Sequence, residues 1–373
     1  MKVVLAFDKF KASATSPQLN DAAAQALRDC GEGVEVVCVP VADGGDGTVA
    51  VLAMNRRGSW VTFPTMGPQL QQPPVAAQYY LCEDGTALIE VAAASGLALL
   101  PVGSNDVMKA TSLGTGMLMR DAMERGSRNI VLGLGGTATC DAAMGILCAL
   151  GVEFLDAAGR HLFPGGESLG SISCIETRGV PQEVKDCHFT MLTDVDNPLC
   201  GPRGSARIFA PQKGATPQQV EALRQGLDHV AHIVGEGIAS LPGCGAAGGI
   251  PSLMMYLLDC ELMPGASHVL ENSGLHEALE GADLVITGEG RLDNQTLMGK
   301  GPGCVMAMAR QRNIPVVAVC GIVDQGFNME SSGLKQAVAV SDGLSQDDAM
   351  DNGLTLMRVS RAVRQIVLQE KNQ

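Results

Sequence analysis

The sequence predicts an α/β protein with two α/β domains, and three observations lead to that prediction. Short, continuous apolar runs alternate with helical stretches near both ends of the chain, as is typical of strands buried on both faces of a parallel sheet. Strands in the middle are separated by turns that contain Pro and Gly, which favours an antiparallel arrangement. With 373 residues, the chain is long enough for two domains and a large buried core.

The N-terminal elements follow from this pattern. The apolar run Lys2–Phe7 is the first predicted strand. Ser16 is the predicted N-cap of a helix that has Pro17 at its first position and ends near Cys30. A second apolar run, Val34–Val41, follows as the next strand.

The C-terminal part repeats the same alternation. Three short apolar runs predict strands, at Asp283–Thr287, Pro315–Cys320 and Gln336–Val340. Helical stretches lie between or after them, at about Pro302–Arg312 and Gly353–Gln369. Both ends of the chain are therefore expected to contribute to one parallel sheet.

The middle of the chain has a different arrangement. Strands at Ser59–Thr65, Val75–Leu81 and Thr86–Ala92 predict a meander. A strand, a loop and a helix follow within Asn129–Leu150, and one long helix is predicted over Pro217–Ser240.

These elements give a domain organisation. Residues 1–58 and 280–373 are expected to form one domain, and residues 59–279 to form a second domain inserted into it. We expect the active site in the cleft between the two domains.

Charge and cysteine content argue against several kinds of protein. There are 40 acidic and 26 basic residues, and the net charge of −14 is unfavourable for binding nucleic acid or an anionic membrane. A small anionic substrate remains compatible, because a few local cations or a metal ion can reverse the electrostatic field in one site.

No uncharged apolar run approaches about 18 residues, so no membrane span is expected. The 12 cysteines contain no C-x-x-C pair, which indicates reduced thiols and a cytoplasmic protein.

The first of five stretches that combine glycine with charged residues is Asp43–Thr48. Asp43 and Asp46 lie beside Gly44, where the backbone is free to make a close turn and a metal or a substrate hydroxyl can be held. The alternative is a tight turn with solvated carboxylates.

The second stretch is Gly133–Asp141, between a predicted strand and an apolar helix. Gly135, Gly136 and Thr137 form a loop at the helix start, where unpaired N–H groups can bind an anion, and Asp141 opens the helix. It is neither a Walker A loop nor a complete dinucleotide fingerprint. The alternative is a sharp turn capped by Thr or Asp.

The third and fourth stretches carry candidate catalytic groups. Asp194 and Asp196 are two positions apart, so in an extended segment both side chains point the same way and can chelate one Mg²⁺ or place a base beside a metal ligand. The alternative is an Asp-rich turn before Pro198. Lys213 lies between two turn-forming residues and can contact phosphate, or it is simply solvated.

The fifth stretch follows the predicted strand Asp283–Thr287. Glu289, Arg291, Asp293 and Lys300 place two acids and two bases within about a dozen residues, at the carboxyl end of a strand where open α/β sheets bind ligands. This pattern favours a site for an anion and a metal over a structural turn.

Taken together, the five stretches resemble one known family. DGGDGT, LGGTATCDAAMG, DVDNPLCGP, APQKGAT and ITGEGRLDNQT, in this order over almost the entire chain, are similar to those of the bacterial glycerate kinases that phosphorylate the 2-hydroxyl. The resemblance implies two α/β domains, one Rossmann- or flavodoxin-like with a mainly parallel sheet and the other with a mixed sheet. It also implies direct phosphoryl transfer from ATP to (R)-glycerate, with Mg²⁺ and a carboxylate base. The partners would be small molecules, and the sequence leaves open whether the chain forms a homo-oligomer.

The resemblance also suggests roles for individual residues. Asp194 and Asp196 would bind Mg²⁺ or act as the base, with Asn197 orienting them, while Lys213 and Arg291 would contact phosphate or carboxylate. The remaining expected contacts to substrate or nucleotide are Asp8, Lys11, Asp43, Gly44, Asp46, Gly135, Gly136, Thr137, Asp141, Glu289 and Asp293.

The chain departs from the family pattern in its loops, and these departures leave alternatives open. They are Phe7 and Lys9 for the usual proline and serine, Asp46 for Glu, Cys140 for Asn, and Ala142 and Ala143 for two glycines. Such changes can alter which acid is accepted, so one alternative is a kinase for another small hydroxy acid, such as a four-carbon aldonate. A second alternative is a non-catalytic ligand-binding homologue. A dehydrogenase is less well supported, since no strand leads into the glycines of Gly243–Gly248.

Overall fold

The structure is a computed structural model, which describes residues 1–29 and 33–371. The chain divides into two compact units. The first contains Met1–Asp43, Ala50–Asn55 and Gly265–Gln373, and the second contains Gly44–Val49 and Arg56–Pro264. This division differs from the expected boundaries near residues 58 and 280, because the chain from Gly265 onward belongs to the first unit and Gly44–Val49 belongs to the second.

The described residues contain fifteen β-strands. They are β1 Lys2–Phe7, β2 Glu35–Cys38, β3 Gly58–Thr65, β4 Val75–Cys82, β5 Thr86–Glu90, β6 Asn129–Gly133, β7 Glu153–Leu155, β8 Cys174–Glu176, β9 His188–Thr193, β10 Cys260–Pro264, β11 Leu284–Gly288, β12 Arg291–Leu292, β13 Val316–Cys320, β14 Ile322–Val323 and β15 Gln336–Ala339.

The same residues contain sixteen α-helices. They are α1 Ser16–Arg28, α2 Thr48–Met54, α3 Ala92–Ser95, α4 Leu113–Glu124, α5 Met144–Ala149, α6 Gln182–Lys185, α7 Ser205–Phe209, α8 Pro217–Val234, α9 Glu236–Ala239, α10 Ile250–Leu257, α11 Gly265–Glu271, α12 Leu275–Ala278, α13 Gly301–Gln311, α14 Met329–Ser332, α15 Gln346–Met350 and α16 Asn352–Lys371.

The first unit is built on a parallel sheet with the strand order β2-β1-β11-β13-β15. Numbered within the sheet, this is the 2-1-3-4-5 order of flavodoxin-like folds. The predicted parallel sheet is therefore confirmed. The direction of winding reverses between β1 and β11, and such a switch point opens a crevice at the carboxyl ends of the two strands.

Both faces of this sheet are buried, which explains its unbroken apolar runs. Val4 and Val285 face a core that also contains Val305 of α13. Val3 and Leu5 face the opposite core, with residues of α1 and α16. Alternate residues of one strand thus enter two separate cores, so no position along the strand favours a polar residue.

The second unit contains a mixed six-stranded sheet with the order β10-β9-β6-β5-β4-β3. Strands β3, β4 and β5 pair antiparallel, whereas β5, β6, β9 and β10 pair parallel. The predicted meander and the mixed sheet are both confirmed.

Helix α1 begins at Ser16, one residue earlier than predicted. Thr15, not Ser16, is the N-cap, because its side chain accepts from the N–H of Gln18 and the Gln18 side chain accepts from the N–H of Thr15. The Ser16 hydroxyl is buried and donates to the carbonyl of Phe7 at 2.7 Å. The predicted helix end at Cys30 lies outside the described residues.

Two predicted helices in the second unit are shorter than expected. Gly235 has a φ of +81°, so the long helix predicted from Pro217 to Ser240 becomes α8 and α9. The helix predicted from Asp141 begins at Met144, because Ala142 and Ala143 have φ values of +49° and +69°. Two alanines thus occupy a backbone region that disfavours a Cβ atom.

No helix within residues 1–29 and 33–371 combines the length and the apolar character that crossing a bilayer requires. The eleven cysteines in this part of the chain all have free thiols, and Cys30 lies outside it.

Replacing Ala143 by glycine should raise the free energy of unfolding by about 1 kcal/mol, since glycine adopts the left-handed region without the steric cost of a Cβ atom. Urea denaturation of the purified protein measures this change. Ala22→Gly, inside α1, is the matched control and should instead lower the free energy of unfolding by about 1 kcal/mol. Equal losses in both variants would show that Ala143 is unstrained.

Candidate active site

Each of the two units contains some of the predicted site residues. The first unit contains Asp8, Lys11, Asp43, Glu289, Arg291 and Asp293. The second contains Gly44, Asp46, Gly135, Gly136, Thr137, Asp141, Asp194, Asp196, Asn197 and Lys213. Asp43 and Asp46, which come from one sequence motif, therefore belong to different units.

Two carboxyl groups lie at the switch point of the parallel sheet. Phe7 pairs with Gly288 at the ends of β1 and β11, so Asp8 and Glu289 are the next residues of neighbouring strands. The N–H of Asp8 donates to the carbonyl of Gly288 at 2.9 Å. The sheet register therefore brings together two acids from opposite ends of the chain.

Asp8 is nearly inaccessible, with only 4 % of its surface exposed. Burial, helped by the charges of Asp43 and Glu289, raises its pKa to about 8, although Lys9 acts in the opposite direction. Lys9 donates its backbone N–H to Asp8 Oδ1 at 2.6 Å and forms an ion pair with Asp43 at 3.2 Å. Asp8 is thus mostly protonated at neutral pH.

Glu289 is the second titratable acid of this edge. Burial is the main cause that raises its pKa to about 7, although a hydrogen bond from Thr296 and the charge of Lys300 act in the opposite direction. The Thr296 hydroxyl donates to Glu289 Oε1 at 2.5 Å. A carboxyl group that titrates near neutrality suits proton transfer.

Other predicted residues of the first unit are more exposed. The Arg291 guanidinium pairs with Asp324 at 2.8 Å on the protein surface, and this hydrogen bond raises the pKa of Arg291. Asp293 Oδ1 accepts from the N–H of Gln295 at 2.8 Å, and Lys11 is exposed. Ligand contacts by these three side chains stay predictions.

In the second unit, two of the sequence motifs meet. The backbone of Gly135 packs so closely on Gly45 and Asp46 that a Cβ atom at Gly135 would lie 2.4 Å from the Asp46 nitrogen. Gly136 has a φ of +71°, and a Cβ atom there would lie 3.7 Å from the Asp46 carboxylate. Both positions therefore require glycine, which the motif pattern alone does not explain.

Lys213 lies underneath this glycine loop. It is 4 % exposed, and its ammonium donates to Thr137 Oγ1 at 3.0 Å and to the carbonyl of Thr139 at 2.7 Å. Burial lowers the pKa of Lys213. In residues 1–29 and 33–371, no carboxylate forms an ion pair with it. The solvated-lysine alternative is therefore wrong.

Asn105 connects the same loop to Lys213, and sequence analysis missed it. Its amide donates to the carbonyls of Ala138 and Lys213 at 3.0 and 2.7 Å, while its oxygen accepts from Gln69 at 3.0 Å. Nothing in the surrounding sequence marks Asn105, since its partners are distant along the chain.

Lys9 and Thr296 lie inside stretches that the sequence analysis had noted, but neither was predicted as a site residue. Their contacts with Asp8, Asp43 and Glu289 are visible only in the folded chain.

Asp141 has a structural place in this loop. Its carboxylate is fully buried and accepts hydrogen bonds from the N–H and hydroxyl of Ser112, at 2.7 and 2.8 Å, and from the N–H groups of Gly145 and Ala143. These donors reach both of its oxygens, so the side chain stabilises the start of α5. A ligand contact by Asp141 stays a prediction.

Asp194 and Asp196 follow β9 and are exposed. Asp196 forms an ion pair with Arg203, and the Asn197 amide donates to the carbonyl of Arg203 at 2.7 Å. Across the described residues, no group of three or more His, Cys, Asp or Glu side chains is placed to hold a metal ion. Mg²⁺ usually needs only one or two protein carboxylates besides waters and phosphates, so the two aspartates stay candidates.

The first unit is flavodoxin-like and has titratable acids at its switch point, and the second has a glycine loop over a buried lysine. These features are typical of α/β enzymes that act on acidic or phosphorylated small molecules. The family model of the glycerate kinase family matches residues 3–368. The chain belongs to the glycerate kinase family.

Individual relatives agree with this family. Glycerate 2-kinase of Escherichia coli K12 is 39 % identical over 330 residues, which cover 86 % of this chain and 85 % of the relative. Glycerate kinase of Halalkalibacterium halodurans is 37 % identical over 98 % of this chain and 97 % of its own. A crystal structure described as "putative glycerate kinase 2" of Salmonella typhimurium LT2 has a TM-score of 0.82 and 34 % identity, and it covers 100 % of both chains.

The raised pKa of Asp8 predicts a pH dependence of stability. Between its ordinary value of 3.8 and about 8, the folded state holds a proton that the unfolded state has lost. The free energy of unfolding should therefore fall as pH rises through this window, by up to about 1.4 kcal/mol per pH unit from this group.

Asp8→Asn mimics the protonated acid and should flatten the pH dependence by that amount when urea denaturation is repeated between about pH 5 and pH 7. Asp347→Asn, on the exposed helix α15, serves as a surface control. Identical slopes for wild type and Asp8→Asn would contradict the assignment.

Proposed function

We propose that this protein catalyses the phosphorylation of (R)-glycerate to 2-phosphoglycerate by direct phosphoryl transfer from ATP. Membership of the glycerate kinase family over residues 3–368 is the observation that carries the proposal. The free thiols of the described cysteines support the expected cytoplasmic location.

The glycine loop after β6 is the proposed site for the nucleotide phosphates. Backbone N–H groups of such loops bind anions. Gly135 and Gly136 have no side chains that could block the approach of a phosphate to these N–H groups. Lys213 adds a positive charge directly beneath Thr137, in a chain whose net charge is −14. The positive charge of Lys213 therefore favours an anion at this loop, although the chain as a whole is negatively charged.

The carboxylates of Asp194 and Asp196 would hold Mg²⁺. They are oxygen donors, they follow the end of β9, and they remain exposed, which suits an ion that also keeps waters and phosphate oxygens as ligands. When bound, Mg²⁺ would neutralise charge on the transferring phosphoryl group. Arg203 keeps Asp196 in place through its ion pair.

ADP release in the presence of ATP and Mg²⁺ tests the proposed activity. We expect turnover with (R)-glycerate, and ³¹P NMR of the product should show a 2-phosphate ester. Turnover only with four-carbon hydroxy acids would change the substrate and keep the chemistry. Binding of an acid without ADP release by folded protein would instead indicate a non-catalytic homologue.

Lys213→Met tests the role of the buried lysine. Methionine fills a similar volume without the charge, so we expect the protein to remain folded while kcat/KM for ATP falls by about 100-fold or more. Lys335→Met, which removes a surface ion pair with Glu370, is the matched control and should leave kcat/KM unchanged. Wild-type kinetics in Lys213→Met would exclude this lysine from the nucleotide site.

A further inference from the structure

We propose that the hydroxy-acid substrate binds within the first unit, between the N-terminus of α13 and the switch point of the sheet, and that Glu289 accepts the proton of the attacking hydroxyl. This inference rests on the proposed function, that the chain phosphorylates a small hydroxy acid. It differs from the sequence-based expectation, in which Asp194 or Asp196 acts as the base.

The first observation is the position of α13. This helix of eleven residues starts at Gly301, and its N-cap residue Lys300 makes no side-chain hydrogen bond to the first turn. The N–H groups at a helix start have no partner within the helix, and Pro302 has no N–H at all. The beginning of α13 thus offers backbone donors and an adjacent ammonium group to an anion.

The second observation is the unused oxygen of Asp8. Its Oδ1 accepts from Lys9, whereas its Oδ2 receives no hydrogen bond from residues 1–29 and 33–371. A Cβ atom placed on Gly301 would lie 3.4 Å from this Oδ2, so the oxygen is directed at the start of α13. Asp8 is 4 % exposed, so a ligand group at the start of α13 would lie directly against this oxygen.

Glu289 has the same kind of half-occupied carboxyl group. Thr296 donates to Oε1, and no other hydrogen bond from the described part of the chain reaches this carboxyl. Lys300 precedes α13 as its N-cap residue, and its charge lowers the pKa of Glu289. Two carboxyl groups, a lysine and a helix N-terminus therefore lie at this edge of the sheet.

This set of groups fits a hydroxy acid better than a bare phosphate. The carboxylate of the acid needs donors, which the start of α13, Lys300 and the protonated Asp8 carboxyl supply, and its reacting hydroxyl needs an acceptor, which Glu289 supplies. A phosphate dianion carries twice the charge of a carboxylate, so nearby ionised carboxylates repel it more strongly. The titratable and charged groups that face Glu289 are Asp8, Asp43, Asp293, Lys300 and the buried thiol of Cys320.

The proposed proton transfer balances within the reaction. The O–H bond of the substrate breaks and its proton moves to Glu289, while the substrate oxygen forms a bond to the γ-phosphorus of ATP. The bond from that phosphorus to the β,γ-bridging oxygen breaks, and ADP leaves with the electron pair. Thr296 holds Glu289 in place, and a pKa near 7 allows the carboxylate to accept a proton at neutral pH.

Steady-state kinetics of two variants test the inference. In Glu289→Gln, kcat should fall by about 100-fold or more, and the remaining activity should lose the rise with pH that wild type shows near pH 7. In Lys300→Met, KM for (R)-glycerate should rise about tenfold or more while KM for ATP stays unchanged. Glu330→Gln, on the surface helix α14, is the control and should match wild type.

Two results would overturn the inference. One is a kcat and a pH profile in Glu289→Gln equal to those of wild type. The other is a rise of KM for ATP in Lys300→Met with KM for glycerate unchanged, which would assign the site to the nucleotide.

Calorimetric titration of (R)-glycerate into the protein without ATP separates this inference from the proposed function. We expect Lys300→Met to bind glycerate about tenfold or more weakly than wild type, whether or not turnover occurs. If the wild-type protein binds glycerate but turns over no acid, the proposed activity is refuted and the proposed substrate site is not. Equal glycerate affinity in both proteins, or no binding by wild type, would refute the proposed substrate site.

Discussion

The parallel pairing of β1 with β11 is the constraint on which the candidate site of the first unit depends. Their register places Asp8 and Glu289 side by side at the switch point of a 2-1-3-4-5 sheet. A shift by one residue would turn each side chain to the opposite face of the sheet. Because both faces are covered by helices and apolar side chains, the two acids are desolvated, and desolvation is the main cause of their raised pKa values. Packing thus prepares these groups for proton transfer.

Close backbone approach has a comparable role in the second unit. Gly135 packs against the DGGDGT loop at a distance that only glycine allows, and this contact shapes the loop above Lys213. Lys213 itself is held by two oxygen atoms and forms no direct ion pair, although the charge of Asp141 also acts on it. Burying a cation costs folding free energy, and binding of an anionic ligand would offset that cost. This is the physical reason to place phosphate there.

The alanines at left-handed φ show that the loop geometry tolerates departures from the family's glycines. Ala142 and Ala143 keep positive φ values, and Asp141 fixes the backbone around them through its hydrogen bonds. The network to Ser112 therefore stabilises a conformation that the local residues disfavour.

The sequence by itself determined the fold class, the parallel and antiparallel regions and the family, because apolar runs, turn residues and motif order are local properties. Strand β1 matches its predicted limits, and the mixed sheet follows the expected meander. Only the tertiary structure decided that Lys213 is buried, that Asp141 serves the loop, that Asn105 supports it, and that Asp8 and Glu289 are neighbours. Burial, pKa and hydrogen-bond partners depend on residues far away along the chain, and no local pattern contains them.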